Sequence, residues 1–270
     1  MTVYGGYSVL MSVYYKEKAE YLRESIESML SQTAPTDDFV LVCDGPLTPE
    51  LDSVIEEFTS LHVIRLPENK GLGNALNEGM KQCRHELIAR MDSDDISRPD
   101  RCARELKAFR DHPEVDIVSG TIEEFMTSPT EVYSRRVLPE TSEDIAEFAK
   151  KRNPFNHPAV MYRKSAVEAA GGYKDFYLLE DYFLWVRMLL GGSKGYNIKE
   201  PLLFMRAGSD LYKRRGGLKH FASEKRLFNF MLKQGFITKR EYLRAVSTRA
   251  AAALIPNGVR GYIYKKVLRG

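Results

Sequence analysis

The sequence predicts an α/β protein, in which a mostly parallel sheet is flanked by helices on both faces and followed by a helical C-terminal extension. Over the first 120 residues, short apolar runs alternate with stretches in which apolar residues recur at helical spacing. The runs are continuously apolar, which is typical of strands buried on both faces of a parallel sheet. The chain has 270 residues, enough for one large domain with a substantial core.

Each element follows from its own local pattern. Apolar runs predict five strands, at 8–13, 39–43, 62–66, 86–91 and 115–119. Helical periodicity predicts helices at 22–30, 51–58 and 74–83, and Pro99 opens a fourth, because proline fits the first turn of a helix. Further along, the pattern predicts strands at 131–138 and 159–162 and helices at 142–151, 165–170, 180–190 and beyond 218. Because no repeat or linker interrupts the chain, we expect one domain over 1–217 and an extension over 218–270.

The composition excludes several classes of protein. No apolar run reaches the ~18 residues that span a bilayer, and the first residues lack the basic and apolar stretches of a signal peptide. The three cysteines, Cys43, Cys83 and Cys102, are widely spaced and form no Cys-x-x-Cys motif, so neither a disulfide framework nor a zinc site is expected. These features indicate a reducing, cytoplasmic setting.

Charge is distributed unevenly along the chain, although the net charge is only +3. Residues 1–100 carry 9 basic and 18 acidic side chains, whereas residues 206–270 carry 16 basic and 3 acidic ones. An acidic front and a basic tail indicate two different partners. The alternative is a solvated pair of basic helices. A nucleic-acid partner is not expected, because the acidic front would repel phosphate backbones.

Acidic residues follow the predicted strands at the points where the strands end. Asp44 follows the second strand, and the run Asp92-Ser93-Asp94-Asp95 follows the fourth. Carboxyl ends of parallel strands meet at one edge of the sheet, where ligands bind. Clustered carboxylates repel one another unless a cation lies among them. The run therefore indicates Mg²⁺ or Mn²⁺ shared with a phosphate-bearing substrate, or alternatively an acidic cap on the helix that follows.

Other phosphate and carboxylate motifs do not fit. An EF-hand loop that begins at Asp92 would require glycine where Ser97 stands, and a phosphatase-type motif would require threonine or valine at Ile96. The segment 71–73 lacks the third glycine of the dinucleotide fingerprint, and no Gly-Lys-Ser/Thr phosphate loop occurs. The sequence therefore indicates neither NAD nor a P-loop nucleotide.

Taken in order, the motifs resemble those of the inverting family 2 glycosyltransferases with the GT-A fold, over about residues 7–217. The resemblance rests on five segments: SVLMSVY at 8–14, DG at 44–45, NKGLGNALNEG at 69–79, MDSDD at 91–95 and LEDY at 179–182. A sixth segment, NPFNHP at 153–158, is similar to the bacterial subgroup that builds capsule, exopolysaccharide or O-antigen repeats. The resemblance implies a Rossmann-like GT-A sheet and a metal-dependent glycosyltransferase that uses a nucleotide-sugar donor, usually UDP-linked.

The resemblance also assigns residues to the donor. Asp44 would hydrogen-bond the base, and the backbone of Val13 and Tyr14 would line the pocket of that base. Lys70 and Asn74 would face the nucleotide side of the cleft.

The remaining acidic residues would carry the chemistry. By resemblance, Asp92 would contact the ribose and Asp94 would bind the Mn²⁺ or Mg²⁺ that bridges the diphosphate, with Asp95 as the alternative ligand. Asp181, in the pair Glu180-Asp181, would be the catalytic base. A base that takes the proton of the acceptor hydroxyl typically contributes ~10²–10⁴-fold in rate. The alternative for the pair is a charged N-terminus of a helix.

Two arginines and one histidine complete the expected site. Arg214 and Arg215 lie in the run 213–217, which is suited to a loop that closes over the departing diphosphate. His157 would line the donor or acceptor site, or simply bond to backbone. Many relatives carry a histidine some 25 residues after the acidic pair as a metal ligand, and this chain has Asp210 in that region instead.

The expected acceptor is a saccharide carried on a polyprenyl diphosphate. The segment 239–270 carries eight basic residues and one acid, interleaved with apolar and aromatic residues, as in helices that lie on anionic membranes. We therefore expect a cytoplasmic protein, peripheral at the inner face of the plasma membrane; the alternative is that these helices pack on the catalytic domain or pair two subunits. The alternative functions are a non-catalytic nucleotide-sugar or glycan-binding module and a sugar-1-phosphate nucleotidyltransferase.

Overall fold

The computed structural model describes residues 6–207 and 217–254. Its strands are β1 Ser8–Val13, β2 Asp38–Cys43, β3 Leu61–Arg65, β4 Leu87–Asp92, β5 Ile96–Ser97, β6 Ile117–Phe125, β7 Val132–Arg136, β8 Met161–Arg163 and β9 Gly195–Arg206. Its α-helices are α1 Ala19–Leu30, α2 Pro49–Glu56, α3 Leu72–Gln82, α4 Arg101–Asp111, α5 Ser142–Ala149, α6 Lys164–Ala169, α7 Glu180–Leu190, α8 Leu218–Lys233 and α9 Lys239–Leu254. A short 3₁₀ turn spans His157–Ala159.

The strands form one sheet in the order β3-β2-β1-β4-β8-β6-β9-β5, with β7 beside β6. The first four strands are mutually parallel, and β9 runs parallel to β6. The short strands β5, β7 and β8 join antiparallel. The predicted fold class, a mostly parallel sheet between helices, is confirmed. The carboxyl ends of β1, β2, β3 and β4 therefore share one edge, which is where ligands bind in such sheets.

Both faces of the sheet are buried, as the continuously apolar strands predict. Along β1, Val9 and Met11 face a core layer that contains α1, α2 and α4, whereas Leu10 faces a second layer that contains α3, α5, α6 and α7. At Gly79 on α3, a methyl group would lie 2.4 Å from Leu10 Cδ1 and 2.6 Å from Val42 Cγ2. This close approach of helix to sheet fixes the position of α3, whose N-terminus reaches the site.

Strand β9 was not predicted from the sequence. Its 12 residues include Lys199, Glu200 and Pro201, which give no apolar run. Its pairing with β6 shifts register between Gly120 and Ile122, opposite Pro201, so that a bulge accommodates the proline. The helix expected to open at Pro99 begins at Arg101, because Ile96–Ser97 first forms β5 against β9.

The described part of the extension is helical and shares a core with α7. Phe176 and Val186 pack with Leu227, Phe228 and Met231 of α8 in a third apolar cluster. Helix α9 packs on the same cluster. The boundary at 217/218 stays a prediction. Within residues 6–207 and 217–254, no helix is both long and apolar enough to cross a membrane.

Candidate active site

Three carboxylates converge where β4 ends. Asp92 is the last residue of β4, and Asp94 and Asp95 lie in the turn to β5. One oxygen from each of the three carboxylates lies within 4.8 Å of those of the other two. The run therefore is a true spatial cluster. An acidic cap on the next helix is not its main role, because α4 begins six residues after Asp95 and behind β5.

A buried arginine holds the first of these carboxylates. The guanidinium of Arg90, which is 1% exposed, donates through Nη1 to Asp92 Oδ2 at 2.7 Å and through Nη2 to Asp92 Oδ1. Ser25 Oγ donates to the backbone oxygen of Asp92 at 2.7 Å. Arg90 and Asp92 are two residues apart on one strand, so both side chains leave the same face of the sheet. The position of the Asp92 carboxylate is thereby fixed.

The other two carboxylates are destabilised as anions. Burial, followed by the charges of Asp92 and Glu17, raises the pKa of Asp94 to about 7. Burial also raises the pKa of Asp95 well above its ordinary value, as does the neighbouring charge of Asp94. Both effects are the cost of placing like charges together away from water. A divalent cation at this point would remove that cost.

The donor set fits a hard divalent cation. All three candidate ligands are carboxylate oxygens, which Mg²⁺ and Mn²⁺ prefer. Asp92 is engaged by Arg90, and Asp95 Oδ1 accepts the backbone N–H of Arg206 at 2.8 Å. Within the described residues, no side chain donates a hydrogen bond to the Asp94 carboxylate. Asp94 is therefore the most available ligand, and Asp95 keeps one oxygen free of the β9 contact.

Arg206 at the end of β9 fixes the turn that carries these carboxylates. Its Nε donates to the backbone oxygen of Asp94 at 2.9 Å, and its Nη2 donates to Glu24 at 2.5 Å. The guanidinium lies 3.8 Å from the centroid of the Tyr21 ring. Arg206 was not predicted as a site residue from the sequence, in which this region lacks the histidine that many relatives carry. In the sequence, Arg206 is visible only as a cation near the position of that histidine, and this gives no indication of the contacts that Arg206 makes.

Asp44 orders the loop before α3. Its two carboxylate oxygens accept the backbone N–H groups of Lys70 at 2.7 Å and Gly71 at 3.0 Å. The backbone at Gly71 has φ 84°, which glycine adopts without strain. Asn69 Nδ2 donates to the backbone oxygen of Asp44 at 3.1 Å. Since each carboxylate oxygen has a second lone pair, these bonds leave capacity for a ligand, and the predicted contact with a base stays a prediction.

The other predicted donor residues surround the same edge. Val13 is buried at the end of β1, and Tyr14 next to it is 37% exposed. Lys70 and Asn74 are exposed at the start of α3, where Asn74 Nδ2 donates to the backbone oxygen of Lys70 at 2.8 Å. These residues flank a helix N-terminus, which favours anionic groups. Their contacts with a donor stay predictions.

The acidic pair lies at the N-terminus of α7. Burial, followed by the charge of Asp181, raises the pKa of Glu180 to about 7, and Asp92 also raises it. A methyl group at Gly73 would lie 3.8 Å from Glu180 Cβ, so the N-termini of α3 and α7 are adjacent. Asp181 Oδ2 accepts from Asn153 Nδ2 at 2.6 Å. The structure thus brings Glu180 to the β4 cluster and ties Asp181 to the segment 153–158.

The backbone before this pair is strained. Leu178 has φ 58°, the only positive φ of a residue other than glycine within the described chain. It is the third residue of a turn that the Leu179 N–H closes on the oxygen of Phe176 at 3.0 Å. A leucine in this conformation costs roughly 1–2 kcal/mol. This turn leads directly into α7, which begins at Glu180.

His157 lies beneath the site. Its Nε2 lies 2.9 Å from the hydroxyl of Tyr173, and its ring packs edge-on against Trp185. Burial lowers the pKa of His157 well below its ordinary value, and the nearby charge of Arg90 lowers it further. His157 is therefore a neutral group that bonds to a side chain, whereas one of the two expectations was a bond to backbone.

A second buried arginine supports the site and was not predicted. The guanidinium of Arg101 on α4 donates to the backbone oxygens of Arg90 at 2.7 Å and Pro158 at 3.0 Å, and to Glu105 Oε1 at 3.1 Å. It joins β4, which carries Arg90 and Asp92, to the turn that carries His157. Its spacing from Glu105 resembles an ordinary surface ion pair, so the sequence gives no sign of its burial.

Arg214, Arg215 and Asp210 lie outside the described residues. The predicted cationic loop therefore stays a prediction.

A parallel α/β sheet with a carboxylate cluster at its carboxyl edge, facing a second acidic pair, is the arrangement expected of a nucleotide-sugar-dependent transferase. The sequence model described as "Glycosyl transferase family 2" matches residues 8–170. The chain belongs to this family. It is therefore a glycosyltransferase, which decides against the alternative of a non-catalytic module.

Known relatives are similar over nearly the whole chain. An uncharacterized glycosyltransferase of Haemophilus influenzae is 39% identical over 97% of this chain and 99% of its own length. The Escherichia coli protein named UDP-Gal:alpha-D-GlcNAc-diphosphoundecaprenol beta-1,3-galactosyltransferase is 38% identical over 97% and 96%. The amylovoran biosynthesis glycosyltransferase AmsE of Erwinia amylovora is 37% identical over 98% and 100%. The chain is thus a glycosyltransferase of bacterial polysaccharide biosynthesis.

Solved structures share the fold. The S. aureus TarS fragment 1-349 in complex with UDP-GlcNAc has a TM-score of 0.66 at 16% identity, covering 91% of this chain and 71% of that fragment. The mannosyltransferase PcManGT of Pyrobaculum calidifontis, in complex with GDP-Man and Mn²⁺, has a TM-score of 0.63 at 18% identity, covering 94% and 77%. The GT-A fold expected from the motifs is confirmed.

Proposed function

We propose that the protein transfers a sugar, with inversion, from a UDP-sugar to a saccharide carried on a polyprenyl diphosphate. The observation that carries this proposal is the juxtaposition of two acidic groups: the Asp92, Asp94 and Asp95 cluster, and the pair Glu180-Asp181, whose first member is within electrostatic range of Asp92. One group suits a diphosphate-bound cation, and the other suits a base. The E. coli relative, whose name specifies a UDP-sugar and a diphosphoundecaprenol acceptor, supports the same classes.

The donor nucleotide would lie across the carboxyl ends of β1, β2 and β4. The backbone of Val13 and Tyr14 and the carboxylate of Asp44 would contact the base, and Asp92 the ribose. Asp44 already orders the loop 69–71 through two N–H bonds, so the base would meet a fixed surface. Lys70, exposed at the start of α3, would approach the nucleotide together with Asn74.

Asp94 would hold the divalent ion, with Asp95 as a further ligand. When bound, Mn²⁺ or Mg²⁺ supplies positive charge to the departing diphosphate. Two arginines position these groups: Arg90 holds the carboxylate of Asp92, and Arg206 fixes the backbone of Asp94. The mannosyltransferase neighbour contains Mn²⁺, which supports this choice of ion.

Asp181 would take the proton from the attacking acceptor hydroxyl. Its Oδ2 accepts from Asn153, and its Oδ1 accepts from the N–H of Tyr182 at 2.7 Å, so its orientation is fixed. Glu180 faces the donor side instead, with its pKa raised to about 7 by burial and Asp181. We therefore assign the base to Asp181 and a donor-side role to Glu180.

Arg214 and Arg215 would close over the diphosphate as it leaves, and His157, neutral beneath Arg90, would support the sugar side of the pocket.

The acceptor lipid would place the reaction at the cytoplasmic face of the plasma membrane. The basic segment 239–270 would contact anionic lipid there. Within its described part, Tyr242, Ala245 and Val246 pack on the protein. The exposed residues there are basic or polar except for Ala251 and Leu243, which is 66% exposed.

The test is a transfer assay with a matched pair of variants. The purified chain is incubated with Mn²⁺, a panel of nucleotide sugars and a synthetic N-acetylglucosamine-diphosphate-lipid, and both the released nucleotide and the product mass are measured. Asp181→Asn should lower kcat by ~10²–10⁴-fold and leave donor affinity unchanged. Asp175→Asn, an exposed aspartate in the loop before α7, should keep full activity. Near-normal turnover in Asp181→Asn would exclude this base.

A further inference from the structure

Helix α8 presents a basic surface on the side that faces away from the core. Ser223, Leu227, Phe228 and Met231 are the buried residues of this helix. The exposed residues share the opposite side and include four cations, and we call them the α8 basic face: Lys219, Ala222, Lys225, Arg226 and Lys233, with Leu218, which is 74% exposed, at one end.

The positive charge of this face is not neutralised within the described chain. Glu224, the one acidic residue of α8, is turned to Arg249 of α9, whose Nε donates to it at 3.0 Å. Among residues 6–207 and 217–254, no carboxylate lies within 4.0 Å of Lys225, Arg226 or Lys233. The cations of the α8 basic face therefore remain available to an anionic partner.

The shape of the face suits small anionic groups. A shallow depression of about 420 Å³ is lined by Ala222, Lys225, Arg226, Asn229, Phe230 and Lys233. Three cations and one amide are among its lining residues, and most of its lining surface is apolar. A phosphate headgroup with the adjoining glycerol matches this combination of charge and apolar surface.

The face borders the segment that leads to the proposed base. The Lys219 ammonium lies 4.0 Å from the ring centroid of Tyr177, and the Arg226 guanidinium lies 4.5 Å from that of Phe176. Ser223 Oγ donates to the backbone oxygen of Tyr177 at 2.9 Å. The segment 176–179 continues directly into the N-terminus of α7. A membrane on this face would therefore lie beside the acceptor side of the site.

We propose that the α8 basic face docks on the anionic phospholipid surface of a membrane. The choice of a membrane over a dissolved anion rests on the proposed lipid-linked acceptor. The inference adds a docking element outside the segment 239–270. Helix α9 packs the partly buried Tyr242 and Val246 on the third apolar cluster and thereby supports α8 on the side away from the α8 basic face.

The experiment compares two triple variants that lose the same charge. Lys225→Gln/Arg226→Gln/Lys233→Gln neutralises the face. Its control is a triple glutamine variant of three α4 cations on the opposite side of the sheet: the half-buried Arg104 and the exposed Lys107 and Arg110. Co-sedimentation is measured with phosphatidylcholine vesicles, neutral or mixed with anionic phosphatidylglycerol.

We expect the unmodified chain and the α4 variant to bind anionic vesicles only, with binding weakened by salt. The α8 variant should partition about 100-fold less, since each basic group near such a surface contributes roughly fivefold. Equal binding of the α8 variant and the unmodified chain would overturn the proposal, as would binding that ignores lipid charge or no binding at all.

A second readout separates this proposal from the proposed function. Transfer to a water-soluble acceptor analogue should be equal in all three proteins, because the substituted side chains lie outside the site. Transfer to the same saccharide on a vesicle-embedded lipid should fall only in the α8 variant. Absence of transfer in the unmodified chain would refute the proposed function, whereas the sedimentation result would still decide the docking surface.

Discussion

Replacing Asp94 by asparagine should stabilise the metal-free protein at alkaline pH while it abolishes turnover. Burial and the charges of Asp92 and Glu17 raise the pKa of Asp94 from 3.8 to about 7 in the folded chain. Between these values the folded state binds the proton that the unfolded state has lost, so stability falls as pH rises. The contribution of Asp94 is fully present below about pH 4 and is lost as pH passes through 7. An asparagine does not titrate and escapes this loss.

The size of the effect follows from the shift. Three pKa units correspond to about 4 kcal/mol of unfolding free energy, which partial access of water to Asp94 reduces to roughly 2–4 kcal/mol. For a chain of this length, that is about 5–10 °C in melting temperature. The difference between Asp94→Asn and the unmodified chain should be about two-fifths of this value at pH 5, where the unfolded carboxyl has already ionised, and should reach the full value at pH 8.

Thermal melting in EDTA and in Mn²⁺, at pH 5 and pH 8, measures both halves of the prediction. Mn²⁺ should raise the melting temperature of the unmodified chain more at pH 8 than at pH 5, because the ion displaces protons from the cluster. It should have little effect on Asp94→Asn, which should also lose turnover and UDP affinity. If the two proteins melt with the same pH dependence in EDTA, or if the unmodified enzyme is fully active in excess EDTA, the reasoning about this cluster is wrong.

Three further substitutions test the support of the site and the fold. Asn153→Ala removes a hydrogen bond to Asp181 and should lower kcat about tenfold, with donor affinity by calorimetry unchanged. Arg101→Met leaves Glu105 buried without its partner and should cost about 3–5 kcal/mol in urea unfolding; a loss below 1 kcal/mol would contradict the buried pair. Gly79→Ala should destabilise by about 1–3 kcal/mol, although alanine favours helices, because its methyl would lie 2.4 Å from a β1 side chain; a higher melting temperature would show that α3 can shift.

The strands of the sheet could be predicted from the sequence where each strand is a continuous apolar run. The run 39–43 is apolar throughout and buried on both faces as β2, so burial and pattern agree. Strand β9 escaped because Lys199 and Glu200 are exposed and Pro201 removes a donor. Its strand conformation depends on hydrogen bonds from β6, some 80 residues earlier, and no local pattern encodes such a pairing.

The candidate site divides in the same way. The positions of Asp44, Asp92 and Asp94 at strand ends could be read from the chain, because strand direction alone brings them to one edge. The partners of these groups could not. Arg206 is 111 residues from Asp95, whose carboxylate it orients, and its role depends on where β9 ends.

By itself, the sequence determined the order of apolar runs and helices, the parallel core and the acidic residues that gather at its carboxyl edge. These features are local, because burial on two faces requires continuous apolar strands and each strand end fixes where its next residue lies. Only the tertiary structure decided which carboxylates are paired, by Arg90 and Arg206, and which stays available, Asp94. The charge state of a carboxyl depends on its burial and on the charges near it. Both are set by which parts of the chain folding brings together, and not by the local sequence.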